Sequence, residues 1–222
     1  MKNKMIFKVV FASYMVALAI VFDLVMKAIP IFKMPMGGSV TISLLPLALA
    51  AVVCGLWYSL AAAIVYGVIN CFVLDAYGFN LVSFILDYFV AYIGVIILAI
   101  PFFSENIRKG KRVYFILGFM LAYLVRYLAS SFSGIFNAKA WGYDSEFLEG
   151  IFGPGKGSTG YLYIYSFIIY NLPYMLVSCV VQIVIGLLIY KPIFLGDFIN
   201  KNAGHKKVEA EENQNENTNE NL

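Results

Sequence analysis

Apolar residues run almost unbroken over about 5–29, 41–54, 57–76, 81–103, 112–136 and 161–190. A helix that crosses a bilayer needs roughly 20 such residues, because each adds about 1.5 Å toward a hydrocarbon core about 30 Å thick. Most of the runs reach or approach that length, whereas 41–54 and 57–76 share the short hinge Cys54-Gly55-Leu56. With 61% hydrophobic and 13% charged residues, the pattern predicts an all-α, polytopic membrane domain over 1–200 with six transmembrane helices, the second short. Pro30 and Pro35 are expected to close the first helix, ahead of a loop loosened by Gly37 and Gly38. Residues 201–222 (KNAGHKKVEAEENQNENTNENL) hold too little apolar surface to offset their ordering entropy and predict a disordered tail.

The basic residues set the expected orientation. Lys2, Lys4 and Lys8 precede the first run, Arg108, Lys109, Lys111 and Arg112 join the fourth and fifth, and Lys191, Lys201, Lys206 and Lys207 follow the last. The other side holds Lys27, Lys33, Lys139 and Lys156. The excess marks the cytoplasmic face, so both termini are expected inside the cell and the chain in the plasma membrane. The formal charge of +3 thus reports topology, not nucleic-acid binding.

Several chemistries are excluded. The single histidine, His205, lies in the polar tail, which removes a histidine-based zinc site, a Ser-His-Asp triad and an intramembrane histidine base. Cys54, Cys71 and Cys179 stand alone in apolar surroundings without metal-type spacing. The stretch GIFGPGKGSTG at 150–160 places Gly157 where a phosphate-binding loop needs Ser or Thr, and no strand precedes it. No enzyme, metal or cofactor is expected, and the chain is not expected to bind ATP itself.

Inside the apolar runs the ionisable residues are Asp23, Asp87 and Arg126. Each costs about 2.5–3.5 kcal/mol or more at mid-bilayer, so each needs a partner or a wet cavity. Arg126, Ser130, Ser133 and Gly134 share one helical face, as do Asp87, Ala91 and Gly94. One reading is a structural ion pair between Asp87 and Arg126. The other is a ligand cavity lined by the same groups. Ser166, Tyr170 and Tyr174 form a third face with Asn171 beside it, and Pro173 disturbs the backbone ladder one turn earlier, near Ile169. Ser13 and Ala17 make a small-xxx-small face that suits either internal packing or a partner helix.

Four segments, GGSVTISLLPLAL (37–49), ILDYFVAYIG (85–94), LVRYLASSFSGIF (124–136) and YSFIIYNLPYML (165–176), together resemble the thiamine-specific substrate-binding (S) subunits of energy-coupling factor transporters. The resemblance implies a six-helix vitamin-capture protein that assembles with a membrane coupling subunit and, through it, two cytoplasmic ATPases. It implies ligand-binding roles for Asp87, Tyr88, Tyr77, Gly134 and Asn171, and a role against the coupling subunit for Ser13 and Ala17. Ser130 stands where the family has a histidine, and Ala138 where some members have a stacking tryptophan; Trp141 or another outer-loop aromatic is the candidate replacement. Thiamine's cation suits a carboxylate and tyrosine faces, and its pyrimidine edge suits an asparagine. The alternatives are a different vitamin cargo, or an ion-coupled secondary transporter using Asp23, Asp87 and Arg126.

Overall fold

The computed structural model describes residues 2–32, 38–74, 81–138, 140 and 142–203. The first helix, α1 (Lys2–Ala28), stops two residues before Pro30 and passes into a short turn over Pro30–Phe32. Next come α2 (Leu44–Cys54) and α3 (Leu56–Ile69), the latter extended by a π-helical turn over Asn70–Leu74. A fourth helix, α4, spans Leu81–Ala99 and is followed by α5 (Pro101–Arg108), α6 (Arg112–Phe136) and α7 (Ser145–Phe152). The long α8 covers Thr159–Leu188, and α9 (Tyr190–Phe194) and α10 (Asp197–Ala203) close the described chain. Five of these, α1, α3 together with its π-helical extension, α4, α6 and α8, are long and apolar enough to cross a membrane, and α2 is the shorter apolar sixth.

The bundle is apolar outside, and its apolar core encloses a set of buried polar groups. Val10 is 61% exposed and Trp57 76%, while Asp23, Thr41, Asn70 and Gln182 are buried. Such a surface is stable only against lipid, where the hydrophobic effect no longer drives apolar groups inward. Polar side chains then gather inside, where they can bond to one another.

The short second helix organises that interior. Its 11 residues are all buried, as expected for a helix that is apolar all round, and its length of roughly 16 Å cannot span the bilayer alone. Its unpaired backbone ends are therefore capped by other helices. At the start, Leu45 N–H donates to Gln182 Oε1 at 2.6 Å, and Gln182 Nε2 donates back to the Thr41 carbonyl at 2.7 Å. At the far end, Arg108 Nη1 donates to the Val52 carbonyl at 2.9 Å. Gly55 then turns the chain into α3 with φ of +87°, the left-handed region that glycine occupies without penalty.

Three π-helical segments stand among the described residues: Asn70–Leu74 extends α3, while Phe84–Val90 and Ile164–Asn171 interrupt α4 and α8. The third lies where Pro173 withholds its N–H and crowds the carbonyl of Ile169. The sequence reading starts the tail at 201, but α10 continues to Ala203, which is buried where α10 packs on α1 and α2. Residues 204–222 lie outside the described residues.

Candidate functional site

The C-terminal parts of α1, α3 and α6 reach the same end of the bundle from which α4 and α8 set out, and the segment before α2 enters there. The opposite end carries Lys4, Lys8, Arg108, Lys109, Lys111, Arg112 and Lys191. In the half away from this basic end the helices surround a cavity lined by polar and aromatic side chains. All three π-helical segments contribute side chains to it: Asn70, Asp87 with Tyr88, and Ser166 with Tyr170 and Asn171. Such turns recur at functional sites because they re-aim side chains without breaking the helix.

The irregular segment before α2 forms one wall. Non-helical backbone at membrane depth needs partners inside the protein, and α8 supplies them. Gly38 N–H donates to Tyr170 Oη at 3.0 Å, and Thr41 N–H to Ser178 Oγ at 3.1 Å. With Gln182, these residues extend the stripe of Ser166, Tyr170 and Tyr174 at steps of four along α8. The lower part of the stripe therefore holds backbone, and the upper part lines the cavity.

Two carboxylates face this space in different ways. Asp23, 2% exposed, accepts from Thr41 Oγ1, from Tyr66 Oη at 2.6 Å and from Asn70 Nδ2 at 2.6 Å, with Lys27 Nζ at 3.9 Å. Asp87 is half-buried and accepts from Ser133 Oγ, which in turn accepts from Asn137 Nδ2 at 3.2 Å. Asp23 is thus locked into the scaffold, while Asp87, bonded to α6 through Ser133, also lines the cavity.

Arg126 is placed differently from the ion pair read in the sequence. Its guanidinium lies over the rings of Tyr92 and Tyr123, at 5.0 and 5.8 Å from their centroids. Among the described residues, the cation–carboxylate contact within 4 Å is Lys27 with Asp23, not Arg126 with Asp87. The reason lies in register. Asp87 is tied to Ser133, seven residues or about two helical turns beyond Arg126, and the tyrosine faces hold the guanidinium at its own level.

Of the ligand residues expected from the sequence, Asp87, Tyr88, Ser130, Gly134, Ser166, Tyr170 and Asn171 all line this one cavity. Tyr77 and Trp141 lie outside the described residues. Sequence reasoning missed Thr41, Asn70, Tyr92 and Tyr143, which also line it. Asn70, a lone amide in an apolar run, was the available signal; Tyr143 was covered only by the general expectation of a loop aromatic, because only the fold brings its loop over the cavity. Its N–H donates to the Ala138 carbonyl at 2.7 Å, and its ring meets Tyr165 edge-on at 5.0 Å. Burial raises the Tyr143 phenol above its ordinary range, and the neighbouring Tyr170 and Tyr165 add to the shift. Ser13 and Ala17 line a separate, apolar groove with Val9, Ala12, Val16 and Ile20 of α1 and Tyr58, Ala61, Ala62 and Val65 of α3.

An apolar exterior around a cavity lined by polar and aromatic side chains fits a multi-pass membrane protein that handles a small molecule. A family model described as Thiamine transporter protein (Thia_YuaJ) matches residues 9–194 of the 222. The chain belongs to that family of thiamine transporters. No curated protein and no solved structure matched the chain.

Proposed function

We propose that the chain is the substrate-capture subunit of an energy-coupling-factor-type importer, with thiamine or a close relative as cargo. The observation that carries this reading is the convergence of Asp87, Tyr88, Gly134 and Asn171 on one cavity in a thiamine transporter family member. A carboxylate and several tyrosine faces suit a permanent cation on a heteroaromatic ring. The Asn171 amide, which bonds to the Ser166 carbonyl at 2.9 Å and to Tyr174 Oη at 2.8 Å, stands fixed at the wall.

In this reading the basic end faces the cytoplasm of the cell whose plasma membrane holds the protein, and the cavity opens outward. The groove of Ser13 and Ala17 receives the coupling subunit, which links to two cytoplasmic ATPases. The protein is then a binding subunit and not an enzyme. An ion-coupled carrier is less well supported, because Asp23 is engaged by three donors and Lys27 and is poorly placed to exchange an ion.

Calorimetry on the purified protein tests the cargo. Thiamine or its aminopyrimidine precursor should give saturable heat at one site. Clear binding of an unrelated vitamin, with neither of these bound, would overturn the assignment.

A further inference from the structure

The π-helical segment of α8, Ile164–Asn171, carries Ser166, Tyr170 and Asn171 into the cavity. A π-helical run is rare and disfavoured against the α-helix. Pro173 does not select it, because the missing N–H orphans one carbonyl in either register: Ile169 in an α-helix, Ile168 in a π-helix. The register therefore has to be held from outside α8.

Two groups of α6 reach the segment. The Ser131 carbonyl accepts from Ser166 Oγ at 2.7 Å, and Tyr127 Oη donates to the Phe167 carbonyl at 3.1 Å. Tyr127 and Ser131, four residues apart, stand one turn from each other on the same face of α6. The Phe167 carbonyl is also the one that closes the π-turn, since it accepts the N–H of Leu172, five residues on. The rings of Tyr127 and Phe132 meet that of Phe167 edge-on at 5.7 and 5.3 Å. Tyr127 is half-buried and forms no part of the cavity wall.

We infer that Tyr127 is a positioning residue for cargo binding, its hydroxyl holding α8 in the π-helical register from outside the cavity. The inference rests on the thiamine reading above. In a π-helix residues five apart lie nearly one above the other, whereas in an α-helix they lie about 140° apart. The π register therefore brings Asn171 into line with Ser166, whose carbonyl its amide meets at 2.9 Å. A slip of one residue into the α register rotates the part of α8 before it by about 100° against the part after it. Ser166 and Asn171 then no longer share one wall, and the Phe167 carbonyl turns away from Tyr127. Molecules in the π register are the ones that bind at full strength, so the apparent affinity scales with their fraction.

The test is calorimetry with thiamine on the full chain. Tyr127→Phe removes one oxygen and keeps the ring, so the fold should survive. Affinity should fall by about two- to tenfold, the effect of one neutral hydrogen bond on the register. Replacing Tyr127 with 4-aminophenylalanine, which returns a donor at the same reach, should restore it. A double-mutant cycle separates positioning from general support of the fold. Combined with Asp87→Asn, which alters a residue of α4, the Tyr127→Phe factor should persist in full. Combined with Asn171→Ala, where a residue being positioned is gone, it should shrink toward one. The same factor in both backgrounds, no loss in Tyr127→Phe, or no recovery with the amine would overturn the role of Tyr127 while leaving thiamine as cargo. Wild type that binds no thiamine would instead defeat the cargo reading, and this inference with it.

Discussion

Gly67 of α3 lies directly beneath the carbonyl of Tyr88 in α4. A Cβ built at Gly67 would come within 2.0 Å of that oxygen and 3.1 Å of its carbon. The contact is backbone, so no side chain can swing aside. Tyr88 lines the cavity, and the missing methyl of Gly67 sets how near it comes to α3. Gly67→Ala should force α3 and α4 apart at a cost of about 1–3 kcal/mol, lowering the melting temperature and weakening thiamine binding together. A variant with unchanged melting and affinity would show that the helices separate freely there.

The two cavity carboxylates should answer differently to mutation. Asp23→Ala removes the carboxylate that accepts from Thr41, Tyr66 and Asn70 and that faces Lys27, and should destabilise the protein by about 3–5 kcal/mol, as when one partner of a buried pair is removed. Asp87→Asn keeps an acceptor for Ser133 and should leave melting much less affected. Its loss should fall on thiamine affinity, by roughly 1.5–3 kcal/mol, about ten- to hundredfold. Melting curves and titrations on both variants check the assignment, which fails if Asp87→Asn unfolds the protein as readily as Asp23→Ala.

Tyr143 supplies a ring from the loop between α6 and α7, where the sequence reading asked for a substitute aromatic. Tyr143→Phe should bind thiamine nearly as wild type, while Tyr143→Ala should lose about 0.5–2 kcal/mol of affinity, the range for a cation over an aromatic face. The raised phenol of Tyr143 stays protonated as the pH rises through the ordinary tyrosine range, so no phenolate forms there to strengthen cation binding. Wild type and Tyr143→Phe should therefore show parallel affinity–pH profiles into alkaline solution, and profiles that diverge would reveal an ionising phenol.

The groove between α1 and α3 is the proposed seat of the coupling subunit. Ala17→Trp fills it and should block co-purification with the coupling subunit and abolish uptake. Thiamine affinity of the isolated protein should change by less than about threefold, because the cavity is lined by other residues. Normal uptake in that variant would move the docking face elsewhere.

The spans and most of the cavity wall were legible in the sequence because both rest on local periodicity. Apolar run length gives the helices, and steps of four bring Ser166, Tyr170 and Tyr174 to one face. The roles of Ser178 and Gln182 in the same series were not legible. What they bond, the backbone of Thr41 and Leu45, lies 137 residues away in the chain, beyond any periodic signal. The position of Arg126 was misread for a related reason. Charge alone favours Asp87 as its partner, but two tyrosines at 5.0 and 5.8 Å hold the guanidinium at its own level. That arrangement follows from three-dimensional packing of α4 against α6.

The capping of α2 also orders events during synthesis. A helix of 11 buried residues is too short to rest across a bilayer by itself, and the acceptor for its Leu45 N–H belongs to Gln182, near the end of the last span. Until that span has left the ribosome and entered the membrane, the segment around Thr41 lacks the groups that later hold it. One wall of the cavity is thus assembled from the segment before α2 and from α8, and it closes only once α8 has entered the membrane.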